Sequence, residues 1–177
     1  SPLCGRNFEY MGEDPYLAGK LAVPYIQGLQ SNGVAACVKH YACNNEERHR
    51  HKTDVEVSER ALREIYLPAF EMAVNEGGAL SIMASYNLFR GTHCCHNGYL
   101  INDILKGEWG FDGVVMSDWN AVYHPEKAVN AGNDLAMPGP IAPDALTAAY
   151  ENGTLDRQAL SLSAERVAAL AKTYARP

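Results

Sequence analysis

Gly113-Val114-Val115-Met116 is followed at once by Ser117-Asp118-Trp119. A short, uninterrupted apolar run of this kind fits a strand covered on both faces, as in a parallel sheet, rather than the alternating pattern of a half-exposed strand. Three other segments repeat the arrangement. Residues 34–38 (VAACV) lead into Lys39-His40, residues 80–85 (LSIMAS) into Tyr86-Asn87, and residues 134–137 (DLAM) into Pro138-Gly139. Helical patterns lie between them. Residues 15–30 precede the first strand. Residues 58–75 precede the second, with Ser58 as N-cap, Leu62, Ile65, Ala69 and Phe70 on one face, Gly77-Gly78 as the stop, and Pro68 placed to kink or split the helix. Residues 100–106 and 125–130 give short helices, and residues 155–174 a long amphipathic one.

Strands alternating with helices imply parallel strands joined by helical crossovers, and polar residues just beyond successive strand ends mark the active-site face of a (β/α) barrel. With four such units, the chain is expected to be α/β, its parallel (β/α) units forming about the C-terminal half of a TIM-like barrel, as one domain over residues 1–177. An open doubly wound sheet would share the same alternation.

Composition narrows the function. Of 177 residues 47% are hydrophobic and 20% charged, enough to bury a real core. The net charge of −6 and the scattered basic residues argue against nucleic acid as a partner. No apolar run approaches the roughly 18 residues that cross a bilayer, so no membrane partner is expected. The five cysteines, Cys4, Cys37, Cys43, Cys94 and Cys95, are odd in number and include a vicinal pair, which favours reduced thiols and a cytoplasmic setting; a signal lying before Ser1 would change that setting.

Several residues could carry chemistry. Asp118 is a carboxylate at a strand end beside an indole that could wall a sugar site, although an aspartate there is also a common helix N-cap. Lys39-His40, with Arg48 and Arg50 close behind, could bind hydroxyls and hold a carboxylate ionised, or could belong to a solvated loop of mixed charge. His49-x-His51 and His93-Cys94-Cys95-His96 invite a metal reading, yet neither has the paired spacing of a zinc site, so no metal is expected. Nucleophile-elbow, phosphate-loop and dinucleotide motifs are absent, and no cofactor is expected.

Taken in order, Gly5-Arg6-Asn7-Phe8-Glu9-Tyr10, Gly12-Glu13-Asp14-Pro15-Tyr16-Leu17, Val38-Lys39-His40-Tyr41 with Asn44-Asn45-Glu46, Ser58-Glu59-Arg60-Ala61-Leu62-Arg63-Glu64, Met83-Ala84-Ser85-Tyr86-Asn87, Glu108-Trp109-Gly110-Phe111-Asp112-Gly113, Met116-Ser117-Asp118-Trp119 and residues 131–139 resemble family 3 glycoside hydrolases. The resemblance implies a TIM-like barrel and hydrolysis of terminal β-linked sugars, most often glucose, with retention of configuration through a covalent glycosyl-aspartate. By the same resemblance Asp118 is the nucleophile. Arg6, Lys39, His40, Arg50 and Tyr86 are sugar-binding positions, with Trp119 beside the nucleophile. Arg50 rather than Arg48 matches by its distance from the Lys-His pair.

The Lys39-His40-Tyr41-Ala42-Cys43-Asn44-Asn45 loop departs from the histidine-bearing loop of the N-acetylhexosaminidase branch, which points to the glucosidase branch. The family pattern also calls for earlier barrel strands with a sugar-binding aspartate, and for a second α/β domain carrying the acid/base glutamate. The expected partners are therefore a β-linked glucoside together with the missing barrel half and C-terminal domain, or further copies joined through open sheet edges. On its own the chain is expected to be inactive. A non-catalytic sugar-binding or regulatory module from the same barrel and a metal-dependent hydrolase are the competing readings.

Overall fold

A computed structural model describes residues 3–139 and 142–174. Four strands, β1 (Cys37–Tyr41), β3 (Ser81–Ala84), β6 (Val114–Trp119) and β7 (Leu135–Met137), form one sheet in the order β1-β3-β6-β7 with every neighbouring pair parallel. Spatial order equals chain order, and a helix precedes each strand: α1 (Pro15–Ser31) before β1, α2 (Glu59–Ala61) running on into α3 (Pro68–Asn75) before β3, a π-helix (Tyr99–Glu108) before β6 and α4 (Pro125–Asn130) before β7. This is the winding of a (β/α) barrel. Two more helices, α5 (Pro143–Glu151) and α6 (Arg157–Tyr174), follow β7.

The register stacks Val38, Ile82 and Val115 across three strands, which places apolar side chains level with one another in the sheet. Beneath it the π-helix buries Leu100, Ile101, Ile104 and Leu105, while Tyr41, Leu62, Leu67 and Phe89 complete the main core. Tyr41 is wholly buried, and its hydroxyl donates to the Leu100 carbonyl at 2.8 Å, so the polar end of the ring is satisfied.

Local chemistry explains where the elements begin and end. Asp14 caps α1 by accepting from the Leu17 N–H at 2.7 Å. Ser58 caps α2 as expected, accepting from the Ala61 N–H at 3.1 Å. Pro68 does split the following helix: the chain widens into a π-turn over Leu62–Tyr66, the Leu67 N–H reaches back to the Leu62 carbonyl at 3.0 Å, and α3 starts with the proline at its first position, where no N–H is needed.

The first strand lies further along the chain than the apolar run of residues 34–38 predicts. α1 unwinds through Asn32 and Gly33, the latter at φ +73°, and Val34 stays 46% exposed, so pairing begins only at Cys37. Consequently Lys39 and His40 lie within β1 rather than in the loop after it. Ser117, Asp118 and Trp119 similarly belong to β6. In both strands the ladder is irregular at these polar residues, between Lys39 and Tyr41 and between Met116 and Trp119. A small second sheet of β2 (Asp54–Val55), β4 (Leu88–Phe89) and β5 (Thr92–His93) was not foreseen; its two-residue strands carry too little periodicity to be read.

Candidate active site

The polar residues at the C-terminal ends of β1, β3 and β6 converge on Asp118. Its side chain is 8% exposed. One carboxylate oxygen, Oδ1, accepts from the Trp119 N–H at 2.7 Å. The other, Oδ2, is buried and has no hydrogen-bond partner among the described residues. His40 Nε2 faces it at 3.5 Å, longer than a good hydrogen bond. A buried carboxylate oxygen left without a donor is costly in a merely structural role.

His40 itself is 3% exposed. Burial, reinforced by the positive charges of Arg6 and Lys39, pushes its pKa down to about 4, against the opposing pull of Asp118 and Glu9. The ring is therefore neutral at neutral pH. Its second nitrogen, Nδ1, lies 2.7 Å from the Tyr10 hydroxyl.

Glu9 joins the two cations of the site. It pairs with Arg6 Nε through one oxygen, and through the other accepts from Lys39 Nζ at 2.7 Å. Although its partial burial works the other way, hydrogen bonds from Lys39 and Arg6 lower the Glu9 pKa. A carboxylate held in its ionised form is a poor source of protons.

On the far side, Tyr86 follows β3 and is 5% exposed. Burial first, and then the negative charge of Asp118, push its phenol up to about 12. Arg50 lies over the Tyr86 ring at 4.2 Å and donates to Glu47 at 2.9 Å. Arg48, the alternative arginine, is exposed. Trp119 is 54% exposed and follows Asp118 at the end of β6.

All seven residues singled out from the sequence, Arg6, Lys39, His40, Arg50, Tyr86, Asp118 and Trp119, thus occupy one end of the sheet. Sequence reasoning missed Glu9 and Tyr10 as members of the site, although both stand in the Gly5–Tyr10 motif. It also missed His51, whose ring lies 4.4 Å from that of Tyr86 and whose Nδ1 is 2.7 Å from the Tyr123 hydroxyl. No periodicity or spacing marks such long-range partners.

The His-Cys-Cys-His run behaves as packing. Cys94 and Cys95 are buried, with their thiols directed at the carbonyls of Ala42 and of Ala84 and Ser85. Among the described residues no three histidine, cysteine or acidic side chains are grouped so as to hold a metal ion.

Residues 1–170 match the model of the glycosyl hydrolase family 3 N terminal domain. The chain belongs to this family. Among similar proteins, a beta-glucosidase of Bacteroides ovatus is 63% identical over 137 residues, covering 77% of this chain and 18% of its own. An exo-alpha-(1->6)-L-arabinopyranosidase of Bifidobacterium longum is 47% identical over 155 residues, covering 88% of this chain and 20% of its own. The solved structure of beta-glucosidase 3B from Thermotoga neapolitana in complex with glucose superposes with a TM-score of 0.93 at 42% identity, over 98% of this chain and 26% of that one. The chain thus spans about a fifth of the length of the curated relatives it matches. The family 3 likeness and the α/β fold of parallel units inferred from the motifs both stand.

Proposed function

We propose that this segment carries the nucleophile half of a retaining β-glycosidase, acting on terminal β-D-glucosyl residues. The observation that carries the reading is the environment of Asp118: a carboxylate buried at the end of a parallel strand, with one oxygen held by a backbone N–H and the other unpaired and open toward His40.

In the reaction, Oδ2 attacks the anomeric carbon and forms a covalent bond to it while the glycosidic C–O bond breaks. A general acid protonates the departing oxygen. Water, deprotonated by the same residue, then attacks the anomeric carbon and releases the sugar and the free carboxylate. Arg6, Lys39, His40, Arg50 and Tyr86 supply donors for the sugar hydroxyls. These hydrogen bonds favour catalysis to the extent that they strengthen as the ring flattens toward the oxocarbenium ion. Trp119 offers its exposed face to the leaving group.

The proton donor belongs outside these residues in this reading. Glu9, the acid nearest the cationic cluster, is engaged on both oxygens, and Asp14 is committed as the cap of α1. The 177-residue chain alone is accordingly inactive on alkyl glucosides and disaccharides, since loss of a general acid costs about 10²–10⁴-fold with poor leaving groups.

The test is covalent trapping with a 2-fluoro glucoside bearing an activated leaving group, applied to the complete polypeptide, followed by peptide mass analysis. A glycosyl adduct on Asp118, lost in Asp118→Asn, supports the reading. Sugar binding without an adduct would replace it with a non-catalytic binding module.

A further inference from the structure

Two consecutive residues of one segment meet two consecutive residues of a strand thirty positions away. Glu9 reaches Lys39, and Tyr10 reaches His40. The Glu9 contact is an ion pair that orients a cation. The Tyr10 contact has a subtler consequence, because a neutral imidazole carries only one N–H, and the partner of one nitrogen decides the state of the other.

Two tautomers are available to His40. With the proton on Nδ1, the ring would donate to the Tyr10 oxygen, and the Nε2 lone pair would face Asp118 Oδ2 across 3.5 Å in a buried site. Two lone pairs would then oppose one another where little solvent screens them. With the proton on Nε2, the Tyr10 hydroxyl donates to Nδ1 and the N–H points toward the carboxylate. Only the second arrangement is attractive at both nitrogens. The phenol can serve as donor throughout the working pH range, since burial pushes its pKa up to about 12. The Tyr10 and His40 rings also pack edge to face with centroids 6.0 Å apart, which limits rotation of either ring.

We propose that Tyr10 is a positioning residue of the active site: its hydroxyl donates to His40 Nδ1 and, together with the Asp118 carboxylate facing Nε2, holds His40 as the Nε2–H tautomer, which presents a donor to the nucleophile and the sugar bound against it. The catalytic consequence rests on the glycosidase reading above; the tautomer itself does not.

The experiment is nitrogen-15 NMR on the complete polypeptide labelled at histidine, with His40 assigned by loss of its signals in His40→Asn. The wild type is expected to show protonated Nε2 and unprotonated Nδ1. Asp118→Asn should keep that pattern if Tyr10 sets it. Tyr10→Phe, which retains the ring, should lower kcat/KM about tenfold, the effect of one lost hydrogen bond, and should give a mixture of tautomers once Asp118→Asn removes the carboxylate charge as well. An Nδ1–H wild type, a tautomer that switches in Asp118→Asn, or a single Nε2–H tautomer in the folded Tyr10→Phe/Asp118→Asn double variant would each overturn the proposal. Failure of the wild type to form the Asp118 adduct would instead sink the glycosidase reading while leaving the tautomer result standing.

Discussion

Lys106 Nζ stands 3.1 Å from both carboxylate oxygens of Asp134, whose side chain has no exposure to solvent. Asp134 also accepts from the Val115 N–H at 2.9 Å, from the Ser163 hydroxyl at 2.9 Å and from Arg166 at 3.2 Å. A single buried carboxylate therefore ties together the π-helix, α6 and β6, the strand that carries Asp118. Its charge is tolerated because both oxygens are fully engaged.

Removing that carboxylate should leave two cations partly buried and a strand N–H unpaired. Burial already works against the charged form of Lys106, lowering its pKa despite the carboxylate. Asp134→Ala is expected to destabilise the protein by about 3 kcal/mol, the scale for breaking a buried ion pair. Urea denaturation followed by circular dichroism would measure it; a loss under about 1 kcal/mol would show that the network contributes little.

Much of this framework was legible from residue order alone. The apolar runs at residues 80–85 and 113–116 mark strands because their flanking Gly and polar residues leave no room for a helix of ordinary length. Pro68 announced a break because a proline has no N–H to continue a helix. Asp134 was visible only as the first residue of a strand, since its partners Lys106, Ser163 and Arg166 come from distant helices. The same limit hid Tyr10 and Glu9. Their motif was conspicuous, but their contacts lie thirty residues away and depend on how the Asn7–Glu9 turn is laid over β1.

Arg50 and Arg48 should behave differently when replaced. Arg50 stacks on Tyr86 and pairs with Glu47, so Arg50→Lys loses the planar face that makes the stack. KM for an aryl glucoside should rise about tenfold in the complete enzyme, given the roughly 1–2 kcal/mol of a partly desolvated cation–π contact. Arg48→Lys, at an exposed position, should stay within about twofold. Equal effects at the two sites would remove the basis for assigning Arg50 to the sugar.

Acid should weaken the fold through His40. Its pKa is about 4 in the folded chain against an ordinary 6.5, so on acidification the unfolded chain takes up the proton first. The contribution is complete above about pH 6.5 and drains away as pH falls toward 4, reaching an amount on the order of 3 kcal/mol. His96 has the same direction, also to about 4, from burial and the neighbouring His93 and His124. Denaturant midpoints taken at pH 7 and pH 4.5 should differ less in His40→Gln than in the wild type. An identical pH dependence in the two proteins would show that His40 is readily protonated in the fold.

The isolated 177-residue chain should self-associate. Along α1, Leu17, Leu21 and Tyr25 recur every fourth residue and are 53%, 47% and 62% exposed, with Tyr16 at 62% beside them. The opposite face of the same helix is occupied, since Gly19 lies against Met72 and Ile26 is buried. Nearby, Phe8 is 86% exposed and Met11 43%. A run of large apolar side chains on a helix whose other face is already packed gains by covering itself with a like surface, at about 25 cal/mol per Å² buried. The two outer strands, β1 and β7, each have a single neighbour in the four-stranded sheet and offer a second route to pairing. Multi-angle light scattering across a concentration series should therefore show dimers or larger species. The double variant Leu17→Glu with Leu21→Glu should shift them toward monomer if the helix face drives the contact. It should leave them unchanged if the strand edges do. A stable wild-type monomer at high micromolar concentration would refute both routes, because neither surface would then be sticky enough to matter.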